Sequence, residues 1–154
     1  MLSRFFFLAL VPALFAAGPD TPKVVHRTPV AASIYPQASR PGHSFDAEIL
    51  GEHLDRAATL IVPSGAFSAT IADHSPTRLA VKITVPPNAP FGVHALYVVS
   101  PRGASNPILF RIGDLPHILE AEPNSLLEDA QPVAIPATVL GRLNVDKDFD
   151  FFRF

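Results

Sequence analysis

Short apolar runs separated by proline- and glycine-containing turns most constrain what this chain can fold into. In residues 78–85 (RLAVKITV) apolar and polar side chains alternate, which predicts a strand with one buried face. Residues 92–100 (GVHALYVVS) are apolar on both faces, which predicts a central strand. Seven such runs are predicted strands, at residues 30–35, 44–50, 58–62, 67–72, 78–85, 92–100 and 108–112.

The spacing of these runs indicates how the strands assemble. A turn signal closes each run, no helical period competes over a long window, and Gly51 is expected to end the second strand. The 17 prolines are compatible with strands because they stand at the ends of the runs. We therefore predict an all-β fold, an immunoglobulin-like antiparallel β-sandwich. The chain has no cysteine, so disulfides, thiolate nucleophiles and cysteine-ligated zinc are excluded.

The first residues have the layout of a secretory signal peptide. A positively charged start is followed by an apolar run, residues 5–15 (FFFLALVPALF), and then by small residues. The run is too short to span a bilayer, which needs ~20 residues, although a membrane anchor or a buried helix are the alternatives. We expect a signal peptide over residues 1–17, with cleavage after residue 16, 17 or 18. A linker over residues 18–28 follows, in a secreted bacterial protein without a membrane span.

Several function classes find no support in the residues. The net charge of −2 argues against a nucleic-acid surface. No two of the six histidines have the spacing of a helical zinc site. Ser64 and Ser75 lie in turn sequences without a nucleophile-elbow motif, so no catalytic residue is assigned and no enzyme is expected. The aromatic residues Tyr35, Phe67 and Phe91 could contact sugars or peptides, but a packed core is the favoured interpretation.

Residues 29–113 resemble a bacterial immunoglobulin-like domain of the IPT/TIG group. The resemblance rests on turn spacing, in the segments Ile34-Tyr35-Pro36, Pro41-Gly42, Gly51, Pro86 to Gly92 and Gly103 to Asn106. It implies a spacer or a module that contacts protein or glycan, with no common catalytic residue.

Residues 114–154 resemble the opening of a bacterial pre-peptidase C-terminal (PPC) domain. The motifs are Glu-x-Glu-Pro-Asn at residues 120–124, Ala-Gln-Pro at 130–132, and Gly141 before Asp-Phe-Asp-Phe-Phe-Arg-Phe at 148–154. The resemblance implies a second β-sandwich, present here as an incomplete segment. We therefore expect the chain to be the N-terminal part of a longer secreted protein.

The PPC resemblance also implies a calcium site. Ca²⁺ takes six to eight oxygen ligands, which two acidic segments could supply. The alternative is a solvated acidic linker followed by a polar turn. The candidate ligands are Glu120, Glu122, Asn124, Asp148 and Asp150, with Asp146 nearby.

Two functional hypotheses follow from the sequence. The first is a secreted, non-catalytic binding, adhesion or spacer module that contacts protein or polysaccharide, or downstream domains of the same protein. The second is the N-terminal accessory region of a larger secreted hydrolase, a peptidase, whose catalytic domain lies beyond Phe154. Continuation of the reading frame into a catalytic motif would separate them.

Overall fold

A computed structural model describes residues 27–143 and 148–154 of the chain. The predicted signal peptide and most of the predicted linker lie outside the described residues, as does Asp146. Within these ranges the regular secondary structure is strand, apart from one 3₁₀ helix. The elements are β1 (Val30–Tyr35), β2 (Ala38–Ser39), β3 (Ser44–Glu52), β4 (Thr59–Ile61), β5 (Ser68–His74), β6 (Arg78–Thr84), β7 (Gly92–Ser100), β8 (Gly103–Ala104), β9 (Ile108–Ile112), β10 (His117–Leu119), a 3₁₀ helix (Leu127–Asp129), β11 (Gln131–Pro132), β12 (Thr138–Leu140) and β13 (Phe152–Arg153).

Two sheets form the larger part of the molecule. The first has the order β1-β3-β6-β5 and is antiparallel throughout. The second has the order β2-β9-β7-β4, with β8 paired to β7, and is antiparallel except for the parallel β2–β9 pair. Buried side chains from both sheets belong to one hydrophobic cluster. The predicted all-β sandwich is therefore confirmed.

Strict alternation along β6 supplies much of this cluster. Leu79, Val81 and Ile83 are at most 1% exposed, whereas Arg78 and Lys82 face solvent. Each such aliphatic side chain contributes about 1.5–3 kcal/mol when it is fully buried. The predicted inward face of this strand is thus correct, and it pairs on both edges, with β3 and with β5.

The prediction of a central strand at residues 92–100 is also correct. Strand β7 lies between β9 and β4 in the second sheet. Leu96 and Val98 are fully buried, and Val93 on the opposite side is 55% exposed. One apolar face of β7 thus packs into the core, and the other is partly exposed to solvent.

Gly51 does not end its strand, contrary to the prediction. Strand β3 continues to Glu52, and the pairing with β1 shifts register between Ala31 and Ser33. A Cβ at Gly51 would lie 2.0 Å from the Val30 carbonyl oxygen. The glycine is required because the neighbouring backbone approaches too closely for any side chain.

The C-terminal segment, residues 114–154, has a different organisation from the sandwich. Strand β10 pairs in parallel with β12, and β11 pairs in parallel with β13. Among its described residues, 114–143 and 148–154, three are buried, namely Ala130, Leu140 and Asn124. Phe149 and Phe154 are 64% and 92% exposed. None of the helical structure in the described ranges has the length and apolarity needed to cross a membrane.

Candidate functional site

Three carboxylates from two separate stretches of the C-terminal segment converge. Glu120 and Glu122 follow β10, and Asp150 precedes β13. One oxygen atom of each side chain lies within 4.8 Å of those of the other two. We call these three residues the carboxylate cluster. The structure thus brings together three of the five ligands that the sequence predicts.

Gln131 brings the two stretches together. Its side-chain Nε2 donates to the Leu119 carbonyl at 3.0 Å, and its Oε1 accepts from the Ala121 amide at 2.9 Å. Its backbone amide donates to the Phe151 carbonyl at 2.9 Å. Gln131 therefore fixes the stretch with the two glutamates and the stretch with Asp150. The sequence signal for this residue was the Ala-Gln-Pro motif, but the sequence did not assign it a role.

Asn124, the fourth predicted ligand, is fully buried beside the cluster. Its Nδ2 donates to Glu120 Oε1 at 3.0 Å, and its backbone amide donates to Glu122 Oε2 at 3.1 Å. Its backbone carbonyl oxygen accepts from the Phe151 amide at 2.9 Å. Its Oδ1 is buried and has no hydrogen-bond partner among the described residues. Buried amide oxygens normally accept a hydrogen bond, so an unpaired one is a candidate ligand for a cation.

Glu120 is held at both of its oxygens. Oε1 accepts from Asn124, and Oε2 accepts from the Arg142 backbone amide at 2.7 Å. A Cβ at Gly141 would lie 2.8 Å from Glu120 Oε2. The glycine before Arg142 therefore allows the carboxylate to approach the backbone closely.

The surroundings of Asp150 favour its protonated form. Burial raises the pKa of Asp150 above its ordinary value, and a hydrogen bond with Glu120 raises it further. The negative charges of Glu120, Asp148 and Glu122 act in the same direction. Asp150 Oδ1 is buried and also has no hydrogen-bond partner in the described part of the chain. A bound cation would relieve this repulsion and lower the pKa of Asp150.

The donor set fits a hard divalent cation. The carboxylate cluster and the free oxygen of Asn124 offer oxygen atoms only, which is the ligand chemistry of Ca²⁺. Six to eight ligands require additional oxygens from backbone carbonyls or water. Asp148, the fifth predicted ligand, acts on Asp150 through its charge but is not one of the three converging carboxylates.

Arg142 links the carboxylate cluster to the sandwich. While its backbone amide donates to Glu120, its guanidinium donates twice to Glu48 Oε2 on β3, both at 3.2 Å. The guanidinium carbon lies 3.9 Å from the centre of the Tyr35 ring, a cation–π contact. The Tyr35 hydroxyl in turn donates to the Leu140 carbonyl at 3.2 Å. The sequence did not predict this joint, because its partners are far apart along the chain.

The side chains considered for catalysis have local roles. Ser64 Oγ accepts from the Ala66 amide at 3.3 Å, and Ser75 Oγ donates to the Arg78 carbonyl at 3.4 Å. Both contacts stabilise turns. Of the aromatic candidates, Phe67 is buried and lies 4.7 Å from Phe110 between ring centres, whereas Phe91 is 63% exposed.

Comparison with known proteins adds little. No protein-family model matches the chain, and no curated protein matches it. One solved structure to which it is similar is SGBP-B of the Bacteroides ovatus mixed-linkage glucan utilization locus, in complex with a mixed-linkage heptasaccharide. The two share 11% identity with a TM-score of 0.39, over 63% of this chain and 23% of that chain. This chain therefore spans less than a quarter of that protein, and the likeness is too slight to transfer a function.

Proposed function

We propose that this protein is a secreted, non-catalytic binding module that contacts protein or polysaccharide and whose C-terminal segment is held folded by a calcium ion. In this proposal residues 29–113 are the IPT/TIG-like module and residues 114–154 are the opening of a PPC-like unit. The observation that carries it is the carboxylate cluster beside a fully buried amide with a free oxygen.

The charges and burial of the cluster support a structural ion. Three carboxylates that converge repel one another, and few of the apolar side chains described in this segment are buried. A cation that binds only the folded state stabilises it, by about 2.7 kcal/mol when the free cation concentration is a hundred times Kd. Calcium would thus supply stability that this segment lacks from apolar burial.

The test is calorimetric titration of the EDTA-stripped chain with CaCl₂, alongside MgCl₂. We expect saturable Ca²⁺ binding with a Kd on the order of 10⁻⁴ M, as in extracellular modules. Mg²⁺ is expected to bind more weakly, because it demands a strict octahedral geometry. Thermal unfolding should shift upward with Ca²⁺.

The matched variants are Glu122→Gln and Glu128→Gln. Each removes one negative charge from an exposed glutamate of the same segment, but only Glu122 belongs to the cluster. Glu122→Gln should weaken Ca²⁺ binding about tenfold or more, while Glu128→Gln should leave it within about twofold. Equal binding by the two variants, or no Ca²⁺ binding by the unaltered chain, would overturn the calcium assignment.

A further inference from the structure

A second site lies where the sandwich meets the C-terminal segment. It is a pocket of about 420 Å³, within the range of ~300–1,000 Å³ typical of small-molecule sites. Its walls come from the turn before β3, from β3 itself, and from β10 and β12. The lining residues that matter here are Arg40, His43, Phe45, His117, Leu119 and Leu140.

One part of the pocket is an apolar platform. The Phe45 ring is half-buried and stacks on the core residue Phe110, with the ring centres 6.3 Å apart and the planes inclined by 21°. Leu119, which is 51% exposed, and Leu140 complete the apolar lining from the C-terminal segment. Flat apolar surfaces of this kind pack against the hydrophobic face of a ring.

The pocket lining also includes three basic side chains. Arg40 and His43 lie in the turn between β2 and β3, and His117 begins β10. Burial lowers the pKa of His117, and the positive charges of Arg40, His43 and Arg111 lower it further. His43 Nδ1 lies 3.0 Å from the Pro41 carbonyl oxygen, which orients its ring.

These positive charges have little compensation. Neither Arg40 nor Arg111 forms an ion pair within residues 27–143 and 148–154. The acidic residue of the lining is Asp46, whose side chain is 91% exposed and lies 3.9 Å from Lys82 Nζ. The pocket therefore combines an apolar platform with the Arg40 cation and two imidazoles, a set of groups that could pair with an anion.

We propose that this pocket binds a carboxylate-bearing sugar unit, a hexuronic acid residue of an acidic polysaccharide. The sugar ring packs on Phe45 and Leu119, and its carboxylate pairs with Arg40 and the neighbouring imidazoles. Ser44 lines the same pocket, and because its Oγ donates to the Ile83 carbonyl at 3.2 Å, it would act toward the sugar as an acceptor. The inference rests on the proposed function, because it names the class of polysaccharide that the module would contact.

The test compares trigalacturonic acid with its fully methyl-esterified form, in calorimetric titrations in calcium-containing buffer. The two probes share the sugar rings and differ in the carboxylate charge. We expect saturable binding of the acid and at least tenfold weaker binding of the ester. Arg40→Ala should weaken binding of the acid about tenfold, which corresponds to ~1.4 kcal/mol. The control Arg56→Ala, an exposed arginine outside the pocket lining, should leave it unchanged.

The contrary outcomes separate this inference from the proposed function. Equal binding of acid and ester would overturn charge recognition and still leave the module a polysaccharide binder. Undiminished binding by Arg40→Ala would remove the pocket as the site. Tighter, Arg40-dependent binding of a hexaglutamate peptide would overturn the sugar assignment in favour of an acidic peptide. Loss of Ca²⁺ binding in the separate titration would overturn only the calcium assignment.

Discussion

At the scale of single residues, Asn124 organises the candidate calcium site. Its side-chain Nδ2 donates to Glu120 and its backbone amide donates to Glu122. Its backbone carbonyl oxygen accepts a hydrogen bond from the Phe151 amide. The fully buried side chain thus holds Glu120, while the backbone of the same residue holds Glu122 and the chain that follows Asp150. Groups that orient metal ligands contribute strongly to affinity even when they are not ligands themselves.

Asn124→Ala should therefore weaken Ca²⁺ binding about tenfold or more, at the lower end of the ~10–100-fold range for orienting groups. The reason is that Glu120 loses the side-chain donor that holds its Oε1 and the buried Oδ1 is removed, whereas the backbone amide that donates to Glu122 is kept. Calorimetric titration measures the effect, with Asn88→Ala in an exposed turn as the control. Unchanged affinity in Asn124→Ala would remove this residue from the site.

The pKa of His117 should differ between the empty pocket and the pocket with a bound sugar. In the free protein, burial and then the charges of Arg40, His43 and Arg111 favour the neutral imidazole. Because its pKa is lowered, His117 stabilises the fold above its ordinary pKa of 6.5, and this contribution is lost as the pH falls below that value. A bound carboxylate favours the imidazolium instead.

Trigalacturonic acid should consequently raise the pKa of His117, and its binding should strengthen as the pH falls from 8 to 6. Asp46, the acid in the pocket lining, is present in both states. The measurement is an NMR titration of the His117 Cε1–H signal with and without the sugar, with the methyl ester as the control. An identical titration curve with the acid and without it would contradict binding at this pocket.

At the scale of secondary structure elements, β6 sets the register of the first sheet. It pairs with β3 and β5, and its inward side chains are almost completely buried. Because buried and exposed side chains alternate along β6, a substitution on the buried face should lower the free energy of unfolding strongly. A substitution at the neighbouring, exposed position should change it little.

Ile83→Ala should lower the free energy of unfolding by about 2–5 kcal/mol, because it removes a fully buried side chain and leaves a cavity. Lys82→Ala, one position away on the exposed face, should change it by less than about 0.5 kcal/mol. Urea denaturation of both variants gives the comparison. Similar losses in the two would show that the assigned face is wrong.

The sandwich strands were predictable because each one buries a local alternating or apolar run. Strands β1, β7 and β9 coincide with the predicted ranges. Strand β2 was missed because two residues, Ala38 and Ser39, carry no pattern. The extension of β3 past Gly51 depends on the approach of the Val30 carbonyl, which is a contact between distant residues.

The acidic residues of the candidate site could be predicted from the sequence, but the residues that position them could not. The acidic residues stand out as a motif in the sequence. Gln131 and Arg142 act through hydrogen bonds to residues remote from them in the chain, which no local pattern encodes. The short parallel ladders of the C-terminal segment have two or three residues per strand, so they carry no periodicity either.

At the scale of the whole molecule, one joint connects the sandwich to the C-terminal segment. Glu48 on β3 accepts hydrogen bonds from Arg78 and Arg142. The hydrogen bond from Arg78 is the largest cause of a pKa for Glu48 below its ordinary value of 4.5, and Arg142 adds to it, while partial burial opposes it.

Because that pKa is lowered in the folded state, Glu48 stabilises the fold at pH values above 4.5, and this contribution is lost as the pH falls through the lowered pKa. Glu48→Gln should therefore be less stable than the unaltered chain at pH 7, and the difference should shrink as the pH falls below 4.5. The measurement is urea denaturation across this range. Glu52→Gln, whose glutamate side chain is 70% exposed on the same strand, is the control. A constant difference between Glu48→Gln and the unaltered chain at every pH would contradict the ion-pair assignment.

Hydrogen exchange measured by mass spectrometry, with CaCl₂ and with EDTA, tests the central claim most directly. The account predicts that Ca²⁺ slows exchange in peptides that cover residues 118–124 and 148–154, while peptides over β6 exchange equally in both conditions. Glu122→Gln should need about tenfold more Ca²⁺ or more to reach the same protection, and Glu128→Gln should need no more than the unaltered chain. Equal exchange of the C-terminal segment with and without Ca²⁺, at concentrations that saturate a Kd on the order of 10⁻⁴ M, would contradict the claim that calcium holds this segment folded.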